Sequence, residues 1–204
     1  MDNNGFNESN EIAEETTDNA VKKRFLNMTF DFFDCAVVSV VLVALLFSFI
    51  FRIVGIEGGS MENTLIEGDR VIITNLFYTP QNGDIVVISR NYNNVNNANT
   101  AEPIIKRVIA VEGQTVDIDF QNGIVYVDDD AIYEPYIKNL TKRAHDVEFP
   151  VTVKKDCVFV LGDNREVSLD SRDKQIGMVN KRYILGKAVF RIFPFQKIGG
   201  LYKY

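Results

Sequence analysis

Apolar residues are spread unevenly along the chain, and one run near the amino terminus dominates. From Cys35 to Phe51 no side chain is charged. Continuing through Arg52 to Val54 gives about 20 residues, roughly 30 Å as an α-helix, which matches the hydrocarbon core of a bilayer. The pattern predicts a membrane-spanning helix over 30–54, bounded by Asp31 and Asp34 on one side and on the other by Arg52, whose stem can snorkel to head groups. A buried core helix or a cleaved signal peptide fits less well, because the run is long for either and no small-residue cleavage site follows it. Residues 1–29 are polar and acidic apart from Lys22, Lys23 and Arg24. By the positive-inside rule that basic cluster puts the tail in the cytoplasm and everything after Val54 outside. The tail itself reads as a solvated, mobile segment.

After Val54 the apolar runs become short, rich in Val and Ile, and punctuated by Gly, Asn and Asp, which is the pattern of strands and turns. Strands are expected at Arg70–Thr74, Asp84–Ser89, Ile104–Val111, Thr115–Phe120, Ile124–Val127, Cys157–Leu161 and Lys187–Ile192. Asn122-Gly123 falls between two alternating runs, the dipeptide suited to a tight hairpin turn with positive φ at both central positions, so a β-ribbon is expected there. The Asn-rich stretch 91–100 reads as a surface loop, and 133–150 as a longer irregular connection carrying His145. The fold class that follows is a mostly β, antiparallel exterior domain over 55–204, with a β-ribbon and loop insert near 115–155, tethered by one N-terminal transmembrane helix.

Charge and composition narrow the function. With 22 basic and 28 acidic residues the net charge is −6, which lacks the positive footprint of a general nucleic-acid binder, so no nucleic-acid partner is expected. One His and two Cys cannot build a His/Cys metal cage, so neither metal nor cofactor is expected. Cys35 in the apolar run and Cys157 in the exterior domain cannot meet in a disulfide under this layout, and both read as small packing residues.

Three clusters carry chemistry. Gly58-Gly59-Ser60 leaves a hydroxyl uncrowded behind two glycines, although by itself such a sequence reads as an ordinary turn. Lys106 interrupts the apolar run Ile104–Ile109, which on its own also fits a lysine pointing outward from an edge strand. The stretch 162–172 follows a strand and is dense in hydrogen-bonding groups, as either a solvated loop or a network buttressing a site would be.

In combination these clusters resemble the bacterial type I signal peptidases, membrane-anchored serine proteases with a Ser/Lys dyad. The resemblance runs through Gly59-Ser60-Met61 with Thr64-Leu65, then Gly68-Asp69-Arg70-Val71, Asn82-Gly83-Asp84, Lys106-Arg107-Val108-Ile109 with Gly113, Gly162-Asp163-Asn164-Arg165, Ser168, Asp170-Ser171-Arg172, and Gly186-Lys187 with Phe190-Arg191. It implies that Ser60 is the nucleophile, Lys106 the general base, Ser168 the group orienting the amine, and Asp170 with Arg172 a supporting ion pair. A solvated lysine is protonated at neutral pH, so the base must be desolvated, and Ile104, Ile105, Val108 and Ile109 are suitable neighbours.

The resemblance also implies secretory preproteins as substrates, cut after small residues at an Ala-x-Ala-like site beside the lipid bilayer. Ile56, Met61, Leu65, Ile105 and Leu169 are then candidate walls of the substrate pockets, and a core role fits each equally well. Gly58 stands where some members of that family carry an oxyanion-binding Ser. Asn63 and Glu112 replace prolines, which predicts a looser nucleophile turn. Two other readings are compatible with the residues: a self-cleaving Ser/Lys regulator, and a catalytically silent, membrane-tethered β module binding extracellular ligands.

Overall fold

A computed structural model of the chain describes residues 28, 30–45, 47, 48, 50–89 and 103–202. Residues 1–27 of the expected tail and the Asn-rich loop at 91–100 lie outside the described residues. The chain divides into two compact units, Met1–Phe49 and Ile50–Tyr204. In the first unit the described residues are helical, and among the described residues no helix is long and apolar enough to cross a membrane.

The apolar run does not stay helical to Val54. Phe51–Gly55 is a strand, β1, paired antiparallel with Arg70–Thr74, β2, in a register that sets Ile53 opposite Ile72 and Val54 opposite Val71. Aromatic and β-branched residues at Phe51, Ile53 and Val54 suit a pleated ribbon, and the partner strand decides between two conformations that an unbroken apolar run leaves open.

The second unit contains two antiparallel sheets. Strands β3 (Ile85–Ile88), β4 (Ile104–Val111), β5 (Thr115–Asp119), β6 (Ile124–Val127), β7 (Asp130–Ala131), β8 (Val151–Thr152), β9 (Cys157–Leu161), β10 (Val179–Asn180), β11 (Ile184–Phe193) and β12 (Gly199–Gly200) follow in chain order. The larger sheet has the order β1-β2-β11-β3-β4-β9-β10, with β12 on β11, and the smaller has β7-β6-β5-β8. β3 lies between β11 and β4, and its run Ile-Val-Val-Ile is buried throughout, as expected of a strand covered on both faces.

The ribbon β5–β6 forms as expected, but its turn differs. Asp119 faces Ile124 across a connection of Phe120–Gly123, in which Gly123 alone has positive φ. The Asp119 carboxylate accepts the Gln121 and Asn122 backbone N–H groups, a local cap that favours the longer turn.

The larger sheet's core gathers Ile56, Met61 and Leu65, from the chain between β1 and β2, against Val71, Ile73 and Ile85. A second cluster joins the ends of β4 and β9 to the ribbon through Ile109, Phe159, Val116 and Val125. The segment after β1 and the loop after β9 are thereby brought together over β4.

Candidate active site

The chain between β1 and β2 turns sharply at Gly58, whose φ of +72° favours a residue without Cβ, and then coils through a single helical turn. Glu62 N–H donates to Gly59 O at 3.2 Å and Leu65 N–H to Met61 O at 2.8 Å, with Met61 and Leu65 buried beneath. Ser60 is thus held half-buried at the head of an anchored turn.

Lys106 comes from β4, an interior strand between β3 and β9, so it is not an edge lysine exposed to water. It is 4% exposed, and its Nζ lies 2.8 Å from Ser60 Oγ. Two residues 46 apart in sequence are thereby set at hydrogen-bond distance, as a base and its nucleophile require.

The loop after β9 closes over this pair. Asn164 N–H donates to Ser60 O at 3.0 Å, and Asn164 Nδ2 donates to Gly59 O at 3.1 Å and to Glu62 Oε2 at 3.0 Å. Gly162 packs so tightly that a Cβ there would lie 2.2 Å from Ser168 Oγ and 2.5 Å from Ser60 O. Ser168 is therefore buried beside the Ser60 backbone. Its Oγ neighbours the Asp170 carboxylate and helps keep it ionised, but it forms no hydrogen bond of full geometry among the described residues.

Three fully buried arginines brace the loop. Arg107, next to Lys106, donates from Nε and Nη2 to the two carboxylate oxygens of Asp163 at 2.9 and 2.7 Å, and from Nη1 to Gly83 O. Thr64, in the nucleophile turn, donates its hydroxyl to the same Asp163 carboxylate. Arg165 pairs with Glu134 and donates to Gly162 O. Arg172 forks onto Asp170 at 2.8 and 2.9 Å and also donates to Arg165 O. Burial pulls the Asp170 carboxyl upward, but Arg172 and the Gly162 N–H outweigh it and hold the group below the usual carboxylate range. Each of these three guanidinium groups is matched by a carboxylate, as buried charge demands.

Ser60 and Lys106 thus meet directly, Ser168 lies beside the Ser60 carbonyl across Gly162, and Asp170 with Arg172 braces the loop that carries Ser168. The signal peptidase family (peptidase S26) matches residues 29–193 of this chain. Signal peptidase I of Bacillus licheniformis is 32% identical over 84% of this chain and 92% of its own length. The chain belongs to the signal peptidase family. It is a serine endopeptidase. The probable signal peptidase I-1 of Synechocystis is 38% identical over 80% of this chain and 82% of its own. A crystal structure of a signal peptidase I from Enterococcus faecalis V583, at 24% identity, covers 55% of this chain and 98% of that chain with a TM-score of 0.41.

At both positions where the family resemblance implies proline, this signal peptidase family member has a side chain that makes hydrogen bonds. Asn63 has a φ of +94°, which proline cannot adopt, and its Nδ2 donates to Tyr136 O at 3.0 Å, so the turn is tied by its side chain instead. Glu112 Oε2 accepts the Asp156 N–H and the Lys181 ammonium, each at 2.9 Å.

Of the five candidate pocket walls, Ile56, Met61, Leu65 and Ile105 are packed in the core, whereas Leu169 is 43% exposed. Four residues of the site escaped the sequence reading: Glu134, Tyr136, Lys138 and the docking role of Asn164. Glu134-Pro135-Tyr136 was the available signal, a carboxylate and an aromatic in a connection with no strand pattern of its own.

Proposed function

We propose that this enzyme removes N-terminal signal peptides from secretory preproteins, cutting after small residues with Ser60 as nucleophile and Lys106 as general base. The observation that carries the reading is the 2.8 Å contact between Lys106 Nζ and Ser60 Oγ, with the lysine almost wholly out of water. Burial disfavours the ammonium, and a neutral amine is the form able to accept a proton. Lys106 takes the proton of Ser60 as Oγ bonds to the scissile carbonyl carbon, and the carbonyl's electron pair moves onto its oxygen. Ser60 N–H donates to that oxyanion. The Lys106 ammonium then protonates the departing amine as the peptide bond breaks, leaving an acyl-enzyme. A water, deprotonated by the same amine, releases the signal peptide and restores Ser60.

Ser168 Oγ, buried beside the Ser60 carbonyl and without a hydrogen bond of full geometry among the described residues, is available to orient the amine, and the Asp170–Arg172 pair holds the loop carrying Ser168. Leu169, the exposed member of the five candidate walls, contributes to the shallow pockets that accept small side chains from an extended peptide, with Ile56 and Ile105 packed in the core behind. The helical apolar segment before Phe51 anchors the enzyme in the bilayer, with the polar tail in the cytoplasm and the β domain outside, where a signal's apolar segment ends.

The test is incubation of the detergent-solubilised protein with a preprotein carrying an Ala-x-Ala site. Wild type yields the shortened product, whereas Ser60→Ala and Lys106→Arg, still folded by circular dichroism, yield none. A guanidinium does not give up its proton. Product from Lys106→Arg at the wild-type rate would remove the general base from the scheme.

A further inference from the structure

Five consecutive residues of the irregular connection after β7, Glu134 to Lys138, reach the Ser60 turn, the loop after β9 and Arg107 of β4. Glu134 pairs with Arg165 of the loop and accepts the Tyr136 hydroxyl at 3.0 Å. The Tyr136 ring lies under the Arg107 guanidinium, with Cζ 3.8 Å from the ring centroid. The carbonyls of Tyr136 and Ile137 accept Asn63 Nδ2 from the nucleophile turn at 3.0 and 3.4 Å. Lys138 donates its backbone N–H to Asp163 O at 2.9 Å and its ammonium to Glu62 Oε2 at 2.7 Å. Glu62 Oε2 is the atom that Asn164 Nδ2 also reaches, two residues from the nucleophile.

Met61 and Leu65 anchor the base of the turn, but Asn63 and Thr64 border an open cleft of about 310 Å³ shared with Pro135, Tyr136 and Arg191, where Arg191 donates to Thr64 O and the 134–138 segment supplies the ties to Asn63 and Glu62. β4, by contrast, is fixed by ladders on both edges. A displacement of about 1 Å between nucleophile and base can cost around a hundredfold in rate.

We infer that Glu134–Lys138 is a positioning strap that fixes the nucleophile turn and the Asp163–Ser168 loop against β4, and so sets the Ser60–Lys106 distance. The inference rests on the Ser60/Lys106 reading above. Lys138 and Glu62 have side chains 45% and 42% exposed, so the outer tethers can be cut at little cost to the fold.

The test combines Asn63→Asp, which tolerates the positive φ but has no donor, with Lys138→Met, which keeps the aliphatic stem. In the full chain this double variant is expected to lose between about tenfold and about a hundredfold in kcat, with KM within about twofold and an unchanged melting temperature. Amide hydrogen exchange at Thr64 and Leu65 is expected to speed up while that of β4 does not. Tyr136→Leu should lose kcat similarly and Tyr136→Phe should retain most of it. Val125→Ala, in the core under the ribbon, should lower the melting temperature without lowering kcat per folded molecule. Wild-type kcat in the double variant, or unchanged exchange at Thr64 and Leu65, overturns the strap. A wild-type enzyme that cleaves nothing overturns the Ser60/Lys106 reading instead, while the exchange measurement still decides whether the tether holds the turn.

Discussion

Asp163→Ala is the substitution that most directly separates scaffold from chemistry. The carboxylate is 1% exposed and Arg107 is 0% exposed, and the two share a forked pair with Thr64 as a third partner. Deleting the carboxylate leaves a buried guanidinium without its counter-charge, its neighbours including Gly83 O, Thr64 Oγ1 and the Tyr136 face. Stranding a buried charge in this way costs about 3–5 kcal/mol. At about 2–4 °C per kcal/mol for a chain of this size, the melting temperature should fall by roughly 6–20 °C. The companion experiment is the double replacement Arg107→Met with Asp163→Leu, which removes both charges and keeps apolar bulk; it should recover most of the loss. Thermal unfolding followed by near-ultraviolet circular dichroism reads both. A fall of less than about 2 °C for Asp163→Ala, or a double variant as unstable as the two single losses added together, would show that the pair is not what holds the loop.

Three further outcomes follow from the geometry. Gly162→Ala should fold yet lose at least about a hundredfold in kcat/KM, because its Cβ would sit 2.2 Å from Ser168 Oγ and 2.5 Å from Ser60 O; cleavage at the normal rate would contradict the tight packing. Asp170→Asn should flatten the acid side of the stability profile. The native carboxyl sits below its ordinary value near 3.9, so the folded state binds fewer protons than the unfolded one, and the stabilisation present above about pH 4 is lost as pH falls through the depressed value. Acid denaturation of the two proteins, compared by fluorescence, checks this. His145→Ala should keep full cleavage, since its Nδ1 faces Asp173 at 3.4 Å, away from the Ser60 contact; loss of cleavage in a folded variant would mean that the Ser/Lys scheme is incomplete.

Strand positions were legible where a run alternates or is buried on both faces. Arg70–Thr74, Ile104–Val111, Ile124–Val127 and Cys157–Leu161 begin and end where the residue pattern places them. Phe51–Gly55 was hidden because an unbroken apolar run has no period to distinguish strand from helix, and the deciding partner, Arg70–Thr74, lies beyond the nucleophile turn. The two-residue strands at 130–131, 151–152, 179–180 and 199–200 have no pattern of their own and exist only through their neighbours. Ser60 and Lys106 were visible only through motifs, since each alone fits a bland reading and their contact is made by the fold. The strap was illegible for a related reason: Glu134 and Tyr136 look like loop residues until Arg165 and Arg107 are seen to be buried.

Lys106 and Arg107 show how one strand can hold two buried basic side chains with different partners. Both side chains are buried, but the lysine meets a hydroxyl and the arginine meets a carboxylate. A hydroxyl tolerates an amine that gains and loses its proton, which the proposed reaction would ask of Lys106. A guanidinium keeps its proton at any pH the fold survives, and Asp170 is held ionised, so the braces around the site keep their charge whichever proton state the amine takes. Replacing Arg107 by lysine would therefore remove more than a fork of hydrogen bonds. It would place a second titratable amine next to the first, and the scaffold would begin to respond to the same protons as the chemistry.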